Sequence, residues 1–269
     1  MKKMLVGCLV LAVAMSFSVA YAEQLEYVNV RQVTIGSTSD PAGLCPGYAN
    51  CELQSLLGPA GLNVVNNVAT DQQIYGYWQL GGAYPSTVPS VAFEITANNS
   101  TLQMGIFSDI NGSNDIAGRT LWDIFLSPAA AGARASIAFD FVGGVWQMTI
   151  VKVTGLDGAV NVGTFLGITP DGFGFYIQPT GDTGVTYYTL DQLNDGLAQS
   201  VAFREVNANR WTIGFEDQAV KNFAGGPNGD RDYNDFIFQI ESITPVPEPL
   251  TLILLGSGLL GLAAIRRKK

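Results

Sequence analysis

Apolar and polar residues alternate with a period of two along most of this chain, the pattern of β-strands that bury one face. The clearest case is the segment 145–153. The same alternation predicts strands in six further segments, namely 25–35, 74–80, 91–96, 101–107, 135–142 and 173–178. Outside the two termini, helix is predicted only in two short segments, 51–57 and 191–197.

Glycine-containing turns separate the predicted strands at close spacing, as expected where adjacent antiparallel strands are joined. These turns are Asn111-Gly112, Val142-Gly143-Gly144, Asp157-Gly158, Asp171-Gly172 and Gly181-Asp182. We therefore predict an all-β protein, an antiparallel β-sandwich of jelly-roll-like type. A cleaved N-terminal signal helix and a short C-terminal hydrophobic helix are expected to flank it.

The N-terminus has the three parts of a secretory signal peptide. Lys2 and Lys3 supply positive charge, the segment 5–19 is apolar, and Ala20-Tyr21-Ala22 matches the small residues that signal peptidase accepts. The sequence therefore predicts a signal peptide at 1–22, cleavage before Glu23 and an exported mature chain.

The C-terminus consists of a proline-flanked carboxylate, an apolar segment and a basic cluster. Pro247 and Pro249 favour extended backbone around Glu248, which makes it accessible to a processing enzyme. The uncharged segment 250–265 would form a helix of about 24 Å, short against a hydrocarbon core of about 30 Å. The basic residues 266–269 are expected to stay cytoplasmic, which leaves the body outside the inner membrane.

These three parts together resemble the PEP-CTERM sorting signal of Gram-negative bacteria, over residues 245–269. The resemblance implies that an exosortase in the inner membrane recognises Pro247, Glu248 and Pro249, removes the helix and passes the body to the cell surface. The inner membrane would then hold the chain only transiently. The alternative is an ordinary C-terminal membrane anchor that follows a proline linker.

Charge and composition exclude several classes of function. The body between residues 23 and 249 holds all 23 acidic residues and 8 of the 14 basic ones, a net charge of −15, so nucleic acid is a poor partner. The chain has no histidine, which excludes Ser-His-Asp and Cys-His catalysis and histidine-ligated zinc or haem.

Five segments are predicted along the chain. The signal peptide is followed by an N-terminal β portion, 23–92, and a β-sandwich domain, 93–243; a proline linker, 244–249, and the hydrophobic helix with its basic tail, 250–269, complete it. Cys45 and Cys51 lie in the N-terminal portion, where export favours a disulfide between them that contributes roughly 2 kcal/mol. Two free thiols are the alternative.

Acidic residues are concentrated at the ends of the last two predicted strands, 211–215 and 236–240. Folding these strands as a hairpin brings five carboxylates together, and such crowding favours a divalent cation that neutralises them. Calcium takes six to eight oxygen ligands in flexible geometry. The predicted ligands are Glu216, Asp217, Asp230, Asp232, Asn234 and Asp235.

An EF-hand and a solvated acidic turn are two other interpretations of this loop. An EF-hand would need glycine where Asp235 stands, and the segment after it alternates as a strand, so Glu241 is expected to be an ordinary strand residue. A solvated acidic turn, with Asp and Asn selected for local hydrogen bonds, is the alternative to a calcium site.

The pattern Gly-Phe-Glu-Asp at 214–217, followed by Asp-x-Asp-Tyr-Asn-Asp at 230–235, resembles the end of a domain of unknown function. That domain recurs in bacterial surface proteins and often precedes a PEP-CTERM tail. With weaker echoes upstream, the resemblance spans about residues 93–243 and implies a calcium-associated β module without catalysis. Related domains often have a histidine where this chain has Gln199-Ser200, so any role of that imidazole is absent here.

We therefore expect a non-enzymatic protein of the cell surface or of the exopolysaccharide matrix of a biofilm, with a structural calcium site. A carbohydrate-binding module of the matrix is the alternative, and a glycoside hydrolase that uses two carboxylates is a third hypothesis. In the carbohydrate-binding alternative, extracellular polysaccharide would stack on aromatic side chains drawn from Tyr75, Tyr77, Trp78, Tyr187 and Tyr188.

Overall fold

The computed structural model describes residues 35, 52–59, 61–80, 86–87, 90–94, 102–108, 120–126, 133–153, 159–170, 172–179, 185–205, 210–218 and 231–246. All of them lie in one compact unit, Asn29–Val246. The predicted signal peptide, the Cys45/Cys51 disulfide, the ligand Asp230 and the tail from Pro247 onwards lie outside the described residues.

The described residues are almost entirely β-structure, which confirms the predicted all-β class. A short helix α1, Leu53–Leu57, and a 3-10 helix, Asp191–Asn194, are the helical segments among them. The strands, in chain order, are β1 Gln72–Gln73, β2 Trp78–Leu80, β3 Ser86–Thr87, β4 Ser90–Glu94, β5 Leu102–Ser108, β6 Thr120–Leu126, β7 Ala135–Val142, β8 Val145–Lys152, β9 Ala159–Val160, β10 Gly163–Leu166, β11 Gly174–Pro179, β12 Tyr187–Tyr188, β13 Ser200–Arg204, β14 Arg210–Phe215, β15 Phe236–Glu241 and β16 Ile243–Pro245.

Every strand pair in the described part of the chain is antiparallel. The strands form two five-stranded sheets, with orders β1-β13-β14-β15-β4 and β12-β11-β5-β6-β9. A four-stranded sheet has the order β10-β8-β7-β3, and β16 pairs with β2 alone. We call the sheet that contains β13, β14 and β15 the front sheet, because the acidic residues lie at one end of it.

The hairpin β7–β8 shows how the sequence pattern determines the local structure. Gly143 and Gly144 adopt φ angles of 61° and 86°, which residues with a side chain rarely tolerate, and they form the two-residue turn. The register pairs Phe141 with Trp146 beside this turn. The alternating apolar residues of both strands then face the core, as predicted.

One large core joins all four sheets, and its centre is aromatic. The ring of Trp78 on β2 lies 5.4 Å from that of Phe175 and 5.8 Å from that of Trp211, measured between centroids. Ile243 on β16 is fully buried in the same core. The short strands β2 and β16 are therefore integral parts of the packed body.

The front sheet is buried on both faces. Ala202 and Phe238 face the main core, whereas their neighbours Phe203 and Ile237 belong to a second apolar cluster on the opposite side. Helix α1 and the loop after it cover this second cluster with Leu53, Leu56, Leu57, Val64, Val65 and Val68. Burial on both faces explains why these strands are nearly continuous apolar runs.

Strand β4 spans the position between residues 92 and 93, where a domain boundary is predicted. It pairs with β15 of the front sheet. Residues 72–73 also enter the front sheet, through the pairing of β1 with β13. Among the described residues, those before and after residue 92 therefore share one sheet.

The first residues of the segment predicted as a proline linker, 244–249, lie in a strand. Thr244 and Pro245 lie in β16, and the backbone N–H of Val246 donates a hydrogen bond of 3.3 Å to the carbonyl of Tyr77. Pro245 is tolerated because an edge strand does not need every N–H for pairing. Just before β16, Ser242 has a φ of 62°, where the chain passes from the front sheet to the pair β2–β16.

The structure corrects the proposed set of sugar-stacking aromatics. Tyr77, Trp78, Tyr187 and Tyr188 are at most 6 % exposed. Trp78 and Tyr187 belong to the main core, and the rings of Tyr77 and Tyr188 pack against that of Phe107. Tyr75 is half-buried and packs edge-on against Trp211. Period-two alternation identifies one face of each strand as apolar, but it cannot show that this face is covered.

None of the helices in the described ranges has the length and apolar character that a membrane crossing requires.

Candidate metal centre

The acidic residues lie where β14 ends and β15 begins. The two strands pair in antiparallel register from Arg210 opposite Glu241 to Phe215 opposite Phe236. Glu216 and Asp217 directly follow the last pair, and Asp235 directly precedes it. The register alone therefore brings these three carboxylates together at one end of the front sheet.

These three residues, which we call the acidic cluster, meet the distance criterion for a shared cation. One ligand oxygen from each of Glu216, Asp217 and Asp235 lies within 4.8 Å of the others. The residues are 2 %, 5 % and 5 % exposed, respectively. Carboxylates are rarely buried to this extent unless a counter-charge, a cation or a proton compensates them.

The loop that enters β15 supplies two more of the predicted ligands. Asp232 and Asn234 are buried, and the backbone N–H of Asn234 donates to Oδ1 of Asp232 at 3.3 Å. Arg231 and Tyr233 adopt left-handed φ angles of 65° and 54°. Non-glycine residues seldom adopt this conformation, so the surrounding packing must hold the loop in it.

Tyr233 fastens this loop to the body. Its side chain is buried in the second apolar cluster, and its hydroxyl donates a hydrogen bond of 3.1 Å to the carbonyl of Ala198. Its own carbonyl lies against Gly214 of β14, in the space that a side chain at position 214 would need. The loop is thus held by packing on one side and by close backbone approach on the other.

Gln199 positions the other half of the acidic cluster. Its carbonyl accepts a hydrogen bond from the N–H of Glu216 at 3.1 Å, and its side-chain amide donates to the carbonyl of Gln218 at 2.9 Å. Gln199 is fully buried. Sequence reasoning missed this role, although it singled out the position as the one where related domains often have histidine.

The electrostatics of the cluster favour a positive ligand. The pKa of Asp235 is raised well above its ordinary value, first by burial and then by the charges of Glu216, Asp217 and Asp232. The N–H of Asp217 donates to Oδ2 of Asp235 at 2.8 Å, which opposes this shift only in part. Without a cation, the cluster must retain a proton or bear strong repulsion.

The donor set fits a hard divalent cation. Calcium binds oxygen ligands at about 2.3–2.6 Å, so ligands on opposite sides of the ion lie up to about 5 Å apart, in keeping with the cluster. Three buried oxygens, Glu216 Oε2, Asp217 Oδ1 and Asn234 Oδ1, accept no hydrogen bond from the described residues, and each of the three residues makes a further interaction.

Comparison with protein families agrees with both resemblances. Residues 245–268 match the model of the PEP-CTERM protein-sorting motif. The chain carries a PEP-CTERM sorting signal. Residues 163–243 match a second model, described as a domain of unknown function (DUF4114). That match contains the acidic cluster, Asp232 and Asn234, and it begins at β10, so it covers the later part of the predicted span 93–243.

The PEP-CTERM signal implies an exported protein that an exosortase processes and sorts to the cell envelope of a Gram-negative bacterium. The sequence-based recognition is thereby confirmed. No curated protein and no solved structure matches the chain significantly.

Proposed function

We propose that this PEP-CTERM protein is a non-enzymatic component of the cell surface or of the extracellular matrix, and that calcium stabilises its β-structured body at the acidic cluster. The observation that supports this most directly is the burial of Glu216, Asp217 and Asp235 within 4.8 Å of one another at the end of the front sheet. An exported protein meets calcium at concentrations that a weak site can use.

Burial of the cluster supports a structural role over a catalytic one. A carboxylate pair that hydrolyses a glycosidic bond must reach a substrate from a cleft, with its carboxyl groups about 5–10 Å apart. In this protein the three carboxylates are closer together and almost wholly covered. A small ion can occupy such a place, whereas a sugar cannot.

In this proposal the ion bridges two adjacent inner strands of the front sheet, β14 and β15. Glu216 and Asp217 come from the end of β14, and Asp235 comes from the start of β15. Asp232 and Asn234 belong to the same loop and are the candidates for further oxygen ligands. Calcium would neutralise like charges that otherwise oppose closure of this end of the sheet.

Unfolding measurements test the proposal. The chain, freed of its signal peptide and solubilised in detergent, is unfolded in chelator and at increasing calcium. At calcium about 100-fold above the dissociation constant, we expect about 2.7 kcal/mol of stabilisation, or a rise in Tm of about 5–10 °C. Magnesium should give less, because it prefers six ligands in strict octahedral geometry.

The matched control is Asp235→Asn, which keeps the shape of the side chain and its ability to accept from the N–H of Asp217. The variant should lose most of the calcium response. Identical unfolding curves for the unmodified chain in chelator and in millimolar calcium would falsify the proposed site.

A further inference from the structure

The sorting motif overlaps the folded body. The matched motif begins at Pro245, and Pro245 is the last residue of β16. In the pair β2–β16, Pro245 lies opposite Trp78, and the N–H of Val246 donates to the carbonyl of Tyr77. The first two residues of the motif are therefore held in a strand pair.

The partner strand of β16 is firmly fixed. The backbone of Trp78 exchanges two hydrogen bonds with that of Phe173, at 2.7 and 2.8 Å, and the Trp78 side chain is fully buried. At the start of β16, Ile243 is fully buried and its carbonyl accepts a hydrogen bond of 3.3 Å from Nε1 of Trp211. Residues 244–246 are only half-buried.

Chain length leaves little distance between this strand and the centre of the motif. Glu248 follows Val246 by two residues, which span at most about 7 Å when fully extended. Enzymes and receptors that bind an extended peptide commonly do so by adding it as a strand, through its main-chain N–H and C=O groups. The N–H of Val246 cannot donate to the carbonyl of Tyr77 and to an enzyme at the same time.

We propose that the exosortase engages Pro245 and Val246 together with Pro247-Glu248-Pro249, and that residues 244–246 must leave β2 before the chain is processed. Pairing of β16 with β2 then slows removal of the C-terminal tail by the exosortase. Processing either precedes the docking of β16 or waits for its release, while Ile243 stays buried as the point about which the strand opens. This inference depends on the sorting motif and is independent of calcium binding.

A pulse–chase experiment tests the proposal with the full chain, in a Gram-negative host that has the cognate exosortase. A flexible Gly-Ser segment of about six residues, which adds about 13 Å of reach, is inserted between Ile243 and Thr244, so that the matched motif stays contiguous. The second variant is Thr244→Pro, which removes a backbone N–H from β16 and leaves the matched motif intact. We expect both changes to shorten the half-time of loss of the C-terminal tail several-fold.

The control carries the same Gly-Ser segment between Gly143 and Gly144, in the turn of the hairpin β7–β8. Its half-time should equal that of the unmodified chain. An unchanged or longer half-time after insertion before Thr244 overturns the proposal. So does an equal acceleration by the control insertion, because the effect would then come from general destabilisation of the body.

Discussion

The hydroxyl of Tyr176 donates a hydrogen bond of 2.6 Å to Oδ1 of Asp123, two strands away, and the bond passes directly over Gly105. Gly105 on β5 is paired with Tyr176 on one side and with Asp123 on the other. A Cβ atom at position 105 would lie 2.5 Å from the tyrosine hydroxyl. Because Gly105 has no side chain, the side chains of Tyr176 on β11 and Asp123 on β6 can meet across β5.

This connection makes Tyr176→Phe a specific test of the sheet β12-β11-β5-β6-β9. The variant removes the hydroxyl and leaves a partly buried carboxylate with one donor fewer, so we expect a loss of about 1–3 kcal/mol in the free energy of unfolding. The measurement is urea denaturation. In the double variant Tyr176→Phe/Asp123→Ala, the loss of unfolding free energy should be smaller than the sum of the losses in the two single variants, because both residues act through one bond. Full additivity would contradict the connection.

Asp235→Asn should have opposite effects in the presence and absence of calcium. In chelator at neutral pH, we expect the variant to be more stable than the unmodified protein by about 1–2 kcal/mol, because one of three buried like charges is gone. In excess calcium, the order should reverse. Chemical denaturation in the two buffers measures both differences, and a variant that is less stable in both would show that Asp235 is an ordinary structural residue.

The raised pKa of Asp235 predicts how stability depends on pH in the metal-free protein. The folded state binds a proton more tightly than the unfolded chain, whose carboxyl titrates near 3.8. The stabilisation from this proton is complete below that value and is lost as the pH rises through the folded pKa. In chelator, the unfolding free energy of the unmodified protein should therefore fall relative to that of Asp235→Asn as the pH rises from 4 towards neutrality. A difference that stays constant over this window would contradict the shift.

Gly214→Ala should disturb the acidic cluster without changing any of its ligands. The added methyl group would meet the carbonyl of Tyr233, a backbone atom that cannot rotate away, so we expect a loss of about 1–3 kcal/mol and weaker calcium binding. Gly163→Ala is the matched control in the strand β10. Its methyl group would lie 3.2 Å from the ring of Phe165, a half-buried side chain that can move, and the stability should change by less than about 0.5 kcal/mol. Calcium titrations of both variants complete the comparison.

The strands that the sequence predicted best are those with one covered face. The predicted segment 135–142 coincides with β7, and the predicted segment 145–153 ends one residue beyond β8. In contrast, β6 was missed, because its sequence Thr-Leu-Trp-Asp-Ile-Phe-Leu has an apolar run that does not alternate. Strands of this kind can be recognised only after their neighbours are known.

The acidic cluster was predictable in part because its members adjoin two recognisable strands. Glu216, Asp217 and Asp235 need only the antiparallel register of β14 and β15 to meet. The contribution of Gln199 was not predictable, since it comes from the approach to β13 and depends on hydrogen bonds to backbone groups that no residue type reveals. The strand β16 was hidden by Pro245, whose presence suggested a linker.

The left-handed residue Ser242 joins β16, at the C-terminal end of the body, directly to β15, so a force on β16 is passed on to β15. β15 begins beside Asp235 and passes through Ser242 directly into β16. A tensile load applied at Val246 would peel the edge strand β16 first and would then pull along β15, at whose far end the carboxylates lie. Under shear, the cation that we propose would therefore hold the start of β15, the strand that carries the load, to the end of β14.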